Sequence, residues 1–366
     1  MTDFPSRALI SRSAFVHNLR RVRSMTSAEV MAIVKGNAYG HGLERIARWA
    51  WEEGVRWFGV AQLAEALELR SYLPQARILT WIYAPSTDLT EAFAADLDLS
   101  IGAVWALDSL AHARHAKVHI KVDTGMARGG FTMRELRSHA ERIAQLEREG
   151  CIDVVGLWSH LARADEPDSA ETARQVKRFE EAAGVLAQVG VIPERLHLAA
   201  SAGTLWHPAT HYDMVRPGIA LYGLSPDPAV QTAAELGLRP VMQLEADIMT
   251  TREVPADTGV SYNHTYTTPE PTRLAVVPLG YADGIARSAS NAMAVTVNGV
   301  RCPIRGKVCM DQFVVEGQVC PGDVAVLFGD AAAGFTTADD WAGATATIGY
   351  EIVTRIGSHV PRLDAP

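Results

Sequence analysis

The sequence predicts a (β/α)8 TIM-like barrel followed by a mostly β C-terminal domain, and three observations carry that α/β fold class. From Ser11 to about Gly223, short β-rich runs alternate with amphipathic helical patterns, close to the usual length of a parallel eight-strand barrel. After Pro226-Asp227-Pro228 the β-runs continue without regular helices between them. Finally, 366 residues at 48% hydrophobic and 21% charged are more than one minimal domain needs and leave little room for disorder.

Taken in order, the barrel strands are expected at 30–34, 57–61, 78–83, 96–101, 118–122, 154–160, 196–200 and 219–222, each rich in branched or aromatic residues. Helices are expected at 13–24, 43–53, 63–72, 104–116, 133–149 and 170–189, where Ala, Leu, Glu and Arg recur at helical spacing. A doubly wound sheet is the main rival. It lacks its fingerprint, because Gly40-His41-Gly42-Leu43-Glu44-Arg45 has no third glycine. In the second domain, strands are expected at 243–249, 274–278, 294–297, 312–315 and 324–328, with one helix from Thr337 to about Arg355. The barrel thus spans residues 10–230 and the β domain 231–366, joined by the first few N-terminal residues.

A net charge of −8 puts no strong positive field on the surface, so neither nucleic acid nor an anionic membrane is an expected partner. A small soluble substrate fits better. Cys151, Cys302, Cys309 and Cys320 form no CxxC pair, which points to a reducing compartment. Met1 to Leu9 carries charge and a proline, and no run of 18 apolar residues follows, so a cytoplasmic protein is expected. His207 and His211 have an HxxxH spacing without a following Glu or a third ligand, and no metal is expected. Ser201 is not a nucleophile elbow, since position 199 is alanine.

The string Ala32-Ile33-Val34-Lys35-Gly36-Asn37-Ala38-Tyr39-Gly40-His41-Gly42 carries more. A lysine ending the first strand would sit at a barrel's catalytic mouth, where its amine can form an imine with an aldehyde cofactor. Taken alone, a lysine after a strand is usually a solvated end. In its context the string closely resembles the pyridoxal-phosphate (PLP) lysine motif of alanine racemases. Further segments resemble that family in the same order: Lys121-Val122-Asp123-Thr124-Gly125-Met126-Ala127-Arg128, Ser159-His160, Ala200-Ser201, Val215-Arg216-Pro217-Gly218-Ile219, Gly259-Val260-Ser261-Tyr262, Gly280-Tyr281-Ala282-Asp283-Gly284, Met310-Asp311-Gln312 and Gly349-Tyr350-Glu351. Their order and spacing from Arg7 to Arg362 make the resemblance specific.

The resemblance implies a PLP enzyme that interconverts L- and D-alanine for peptidoglycan, as a homodimer with active sites between subunits. Racemisation removes a weakly acidic α-proton and returns one to the opposite face, so an electron sink and two bases are needed. The resemblance assigns the bases to Lys35 and Tyr262. Lysine amines and phenols ordinarily titrate at about 10, so neighbours must tune them. Arg216 is implied as partner of the pyridine nitrogen, which it would leave neutral because a guanidinium cannot accept a proton. The phosphate is assigned to Tyr39, Ser201, Tyr350 and the backbone N–H groups of Gly218 and Ile219. His160 is implied beside the ring, bonded to Tyr262 and Arg216. Arg128 and the N–H of Met310 are implied for the substrate carboxylate, with Tyr281 at the entrance. Lys121 occupies the place of a lysine that is carbamylated in some members, where its carboxylate would orient Arg128.

Ordinary roles stand beside these: a strand tyrosine capping a core for Tyr262, a surface ion pair for Arg216, an N-cap for Ser201, a buried structural imidazole for His160 and an unmodified ion pair for Lys121. Gly36, Gly129, Ser159 and Ala200 depart from the family pattern without removing a reacting group. They leave the packing around PLP, and hence a broader amino-acid specificity, open. A decarboxylase or aldolase would not need Tyr262 in its Gly-Val-Ser-Tyr context. A non-catalytic PLP-binding barrel would not need the domain after Pro228.

Overall fold

The chain enters through a strand that lies outside the barrel. In this computed structural model, which describes residues 4–365, β1 (Ser6–Ile10) leads into helix Arg12–Arg23, capped by Ser11 Oγ, which accepts the Ala14 N–H at 3.2 Å. The first three residues of the charged N-terminal segment, and Pro366 at the end of the expected β domain, lie outside the described residues.

The barrel consists of β2 (Glu29–Ile33), β3 (Trp57–Gln62), β4 (Arg77–Ile82), β5 (Asp98–Ile101), β6 (Ala116–Lys121), β7 (Ile152–Trp158), β8 (Arg195–His197) and β9 (Met214–Val215). These pair in parallel in the order β8-β7-β6-β5-β4-β3-β2-β9. A parallel bridge between Ala200 and Arg216, with the Arg216 N–H donating to Ala199 O at 2.8 Å, closes the ring. The strands are buried along most of their length because helices cover their outer face. Helix Met133–Arg148 shows how: Leu136, Ala140, Ile143 and Ala144 recur at helical spacing and face inward, while Thr132 and Glu135 cap each other's N–H.

The second domain contributes β10 (Met242–Asp247), β11 (Thr250–Val254), β12 (Gly259–Val260), β13 (Tyr266–Thr267), β14 (Thr272–Val277), β15 (Ala294–Val297), β16 (Val300–Pro303), β17 (Phe313–Glu316), β18 (Val324–Phe328) and β19 (Arg362–Asp364). Its main sheet runs β16-β15-β18-β10-β1-β19, beside a three-stranded sheet β11-β14-β17 and the hairpin β12-β13. β1 is antiparallel to β10 and parallel to β19. Arg7 reinforces that pairing with Glu245 at 2.6 Å and Asp247 at 3.0 Å. No helix of the described residues is long and apolar enough to cross a membrane.

Three sequence expectations need correction. The eighth strand is not 219–222 but Met214–Val215, and Ile219–Tyr222 forms a 3-10 turn. Pro217 has no N–H for a ladder, and the N–H groups of Gly218 and Ala220 turn to Ser201 Oγ instead. The run is apolar because it is buried, and burial alone does not separate a turn from a strand. The helix expected over 104–116 stops at Ser109, and His115, at a φ of +49°, precedes β6. The helix expected from Thr337 divides into Ala338–Thr345 and Gly349–Thr354, because Ala346 adopts a left-handed conformation at a φ of +57°. Strands β11, β16 and β19 and helices Thr90–Ala94 and Ser201–Trp206 are too short to leave a clear periodicity.

Candidate active site

A cavity of about 550 Å³ opens where the barrel strands end, lined among others by Lys35, Tyr39, Lys121, Arg128, His160, Ser201, Arg216, Gly218, Ile219 and Tyr350. Five of these polar groups stand at or just past a strand end: Lys35 after β2, Lys121 at the end of β6, His160 after β7, Ser201 after β8 and Arg216 after β9.

Lys35 begins a left-handed turn. Gly36 has a φ of +63°, and Asn37, Ala38 and Tyr39 each have a φ of +53°. Such a turn costs roughly 1–2 kcal/mol for each residue that carries a Cβ, so its surroundings must impose it. The Gly36 N–H donates to Glu65 Oε1 at 2.6 Å, and the Leu43 N–H donates to Asn37 Oδ1 at 2.7 Å. Buried His41 places Nδ1 at 2.9 Å from Tyr39 O and 3.1 Å from Ala38 O, so that nitrogen carries the proton. The turn brings Tyr39 back to the cavity, its ring 6.3 Å from that of Tyr350. Burial raises both phenols above their ordinary range, which leaves them protonated donors. Ser201 Oγ accepts from Gly218 N–H at 2.9 Å and Ala220 N–H at 3.3 Å, so its own proton remains available to an anion.

The cavity gathers cations. Burial lowers the Lys35 amine, Arg128 and Arg216 lower it further, and Glu65 works in the opposite direction. Lys121 is pushed down to about 8 by burial and then by Arg128 and Arg216, against Asp123. Its Nζ lies 4.7 Å over the Trp158 ring. Arg216 is buried and donates to Ser159 O at 2.7 Å, Leu198 O at 3.1 Å and His197 Nδ1 at 3.1 Å. Burial lowers it to about 9, still a cation at neutrality. Neither Arg216 nor Arg128 has a carboxylate partner among the described residues. His160 is driven down to about 3, by burial first and then by Arg216, and its neutral Nδ1 lies 3.5 Å from Arg216 Nη2.

Three expected site residues are not in this cavity. Tyr262, Tyr281 and Met310 belong to the second domain and are 68%, 41% and 53% exposed. Of the two partners expected for His160, Tyr262 is therefore not reached within one chain, and Arg216 lies 3.5 Å away. Tyr262 is no strand residue capping a core. It sits on a 3-10 turn between Ser261 and Asn263, at φ values of +59° and +60°. Ser261 Oγ donates to Lys307 O at 2.7 Å, and Lys307 Nζ donates to Asn263 Oδ1 at 2.7 Å. The same segment continues to Cys309, whose carbonyl accepts the Tyr281 N–H at 3.0 Å, and Met310, whose carbonyl accepts the Ala282 N–H at 2.9 Å. One brace thus organises all three residues.

His207 and His211 each hydrogen-bond a backbone carbonyl at 3.0 Å, of Ala164 and Thr204 respectively. Sequence reasoning missed Glu65, Trp81 and Trp158. Glu65 was legible as an acid three residues after Gln62 at a helix start, and it accepts the Gln62 N–H at 3.0 Å. The two tryptophans, one 5.8 Å from Lys35 Nζ, had no signal beyond a place near a strand end.

Comparison with known proteins agrees with this architecture. Residues 10–226 match the model of the alanine racemase N-terminal domain, and residues 241–364 that of its C-terminal domain. The alanine racemase of Beutenbergia cavernae is 52% identical over 370 aligned residues, covering 98% of each chain. The crystal structure of the alanine racemase from D-cycloserine-producing Streptomyces lavendulae superposes with a TM-score of 0.97 at 43% identity, covering 100% of this chain and 98% of that one. The Streptomyces coelicolor alanine racemase structure gives 0.96 at 45% identity, covering 99% and 98%. Through both domains and over nearly its whole length, this chain belongs to the alanine racemase family of PLP-dependent isomerases.

Proposed function

We propose that this chain interconverts L- and D-alanine by moving one proton between two bases, Lys35 and Tyr262, on opposite faces of the substrate, and so supplies D-alanine for peptidoglycan. One observation carries the reading: a cavity-lining amine with a lowered pKa and a buried arginine lacking a carboxylate share the mouth of one barrel. When bound, PLP supplies the electron sink for the charge left on the α-carbon.

The donor set suits that cofactor. Burial and the cationic neighbours lower Lys35, which favours the neutral amine that an aldehyde requires. Tyr39, Tyr350, the Ser201 hydroxyl and the Ile219 N–H would hold the phosphate, together with the Gly218 N–H once it turns from Ser201 Oγ. Arg216 can only donate, so it cannot share a proton with the ring nitrogen. That leaves the proton transfer to the two bases. Arg128 and the Met310 N–H would hold the substrate carboxylate, with Tyr281 at the entrance. Lys121, lowered to about 8, has the neutral fraction near physiological pH that reaction with carbon dioxide to a carbamate requires, and such a carbamate would face Arg128.

We assign a homodimer in which the second domain of one subunit covers the barrel mouth of the other. The exposure of Tyr262, Tyr281 and Met310 in a single chain supports this reading. We assign the enzyme to the cytoplasm, which is consistent with four free cysteines. The test is L-alanine with the PLP-loaded protein in deuterated water. Deuterium at the α-carbon together with D-alanine is expected, and Lys35→Ala should lose both. Exchange without inversion would overturn the racemase reading.

A further inference from the structure

Below the cavity, a line of buried polar side chains crosses the barrel interior. Arg216 Nη1 lies 3.1 Å from His197 Nδ1, and His197 Nε2 lies 2.8 Å from His119 Nδ1. His119 Nε2 is 3.4 Å from Asp98 Oδ1, a longer and poorly aligned contact, and it meets no other polar partner. Asp98 is held from its far side by Arg77, at 2.5 Å and 3.0 Å. His197, His119 and Asp98 are all fully buried.

The two ends determine where the protons lie. A guanidinium only donates, so His197 Nδ1 must present a lone pair and His197 must carry its proton on Nε2. That proton needs an acceptor, so His119 Nδ1 is also bare and His119 carries its proton on Nε2. The nearest polar group to this last proton is the Asp98 carboxylate, 3.4 Å from Nε2, which only accepts. Donor-only and acceptor-only ends thus agree on a single order for two rings that could each adopt either tautomer. Supporting groups hold the line in place. A Cβ at Gly156 would lie 2.8 Å from His119 Cε1 and Cγ, and Trp158 stacks parallel to His197 at 5.8 Å.

We propose that Asp98 is a positioning residue for Arg216: its buried carboxylate orders the protons of His119 and His197 so that His197 Nδ1 holds the Arg216 guanidinium in the cavity. The line also gives the isolated cation of Arg216 a remote counter-charge across two neutral rings. Burial opposes ionisation of Asp98, but His119 and Arg77 hold its carboxyl below the usual range. Burial, with the Arg216 cation, keeps His197 far below its ordinary value.

The proton order does not depend on the role assigned to Arg216; its effect on turnover does. Nitrogen NMR of the cofactor-free protein carrying labelled histidine reads each tautomer directly. Both His119 and His197 are expected with the proton on Nε2. A proton on Nδ1 of either ring in the unmodified protein overturns the proposal, whether or not any variant folds. In Asp98→Asn the amide can donate or accept and only the Arg216 end still enforces the order, so a fraction of His119 should carry its proton on Nδ1; a His119 that keeps the original order entirely also overturns the proposal. In the same variant, loaded with PLP, kcat should fall by about tenfold, the low end for outer partners of a functional imidazole. The KM for alanine should change little and the visible absorbance of the bound cofactor should shift. Tautomers that respond while kcat and absorbance stay unchanged would leave the proton order standing and remove Arg216 from its assigned place at the ring nitrogen.

Discussion

The phenol of Tyr39 closes against the bare α-carbon of Gly218. A Cβ at Gly218 would overlap the phenol oxygen and lie 2.9 Å from Cζ. Gly218→Ala should therefore displace Tyr39 and remove one donor from the assigned phosphate site. A lost hydrogen bond to a charged group is worth about 1.5–3 kcal/mol, so PLP affinity should fall by about tenfold or more. Titration of the cofactor-free protein followed by visible absorbance measures it, and an affinity equal to that of the unmodified protein would remove Tyr39 from the phosphate site.

Lys35 lies in the barrel cavity and Tyr262 on the exposed face of the second domain, so the two bases are assigned to different subunits. Lys35→Ala and Tyr262→Phe chains, each inactive, should complement when unfolded and reassembled in equal amounts. Random pairing makes about half of the dimers mixed, and each mixed dimer holds one site with both bases, so about a quarter of all sites should recover. Co-assembled chains no more active than the separate variants would exclude the shared site.

His41 and His160 are pushed down to about 4 and about 3, burial being the leading cause in each, and His197 lies well below its ordinary value for the same first reason. The unfolded chain binds these protons before the folded one does. Their contribution to stability is therefore complete above about pH 6.5 and is lost as pH falls toward 4 and below. Denaturant unfolding of the cofactor-free protein should show stability declining through that window. His41→Phe should flatten the decline by about 1.4 kcal/mol per pH unit, one proton's worth. An unaltered slope would show that His41 already takes up its proton in the folded protein.

Lys121 has the opposite consequence at high pH. Its folded value of about 8 lies below the ordinary 10.5, so the folded chain releases this proton first and stability rises as pH increases between the two. In protein kept free of carbon dioxide, Lys121→Met should raise the thermal midpoint at pH 7, and the gain should shrink toward pH 10.5. Labelled bicarbonate should add a carbamate carbon resonance that the variant lacks. A variant less stable at pH 7, or a resonance that persists in it, would refute the corresponding half of the prediction.

The sequence by itself determined the order of the parts. Alternation of β-runs with helical patterns up to Gly223 marked the barrel, and the loss of helices after Pro228 marked the second domain. Both are local properties: the side-chain period is set by the backbone of each element, whatever it packs against. Lys35, His160 and Ser201 could be placed near one mouth for the same reason, since each ends or follows an expected strand and parallel strands end on one side, whereas Arg216 preceded the expected eighth strand and only the observed strand Met214–Val215 puts it at that mouth. Tertiary structure alone decided the rest. The Ile219–Tyr222 run looked like a strand, and only Ser201, brought against the N–H groups of Gly218 and Ala220, makes it a turn. Tyr262 could not be assigned inside or outside the cavity from its motif, because that depends on which surface of the second domain stays uncovered. Asp98, His119 and His197 read as isolated polar residues in three separate strands. Only the register of the closed ring lines them up, and burial then leaves the two imidazoles to pair with each other between Arg216 and Asp98.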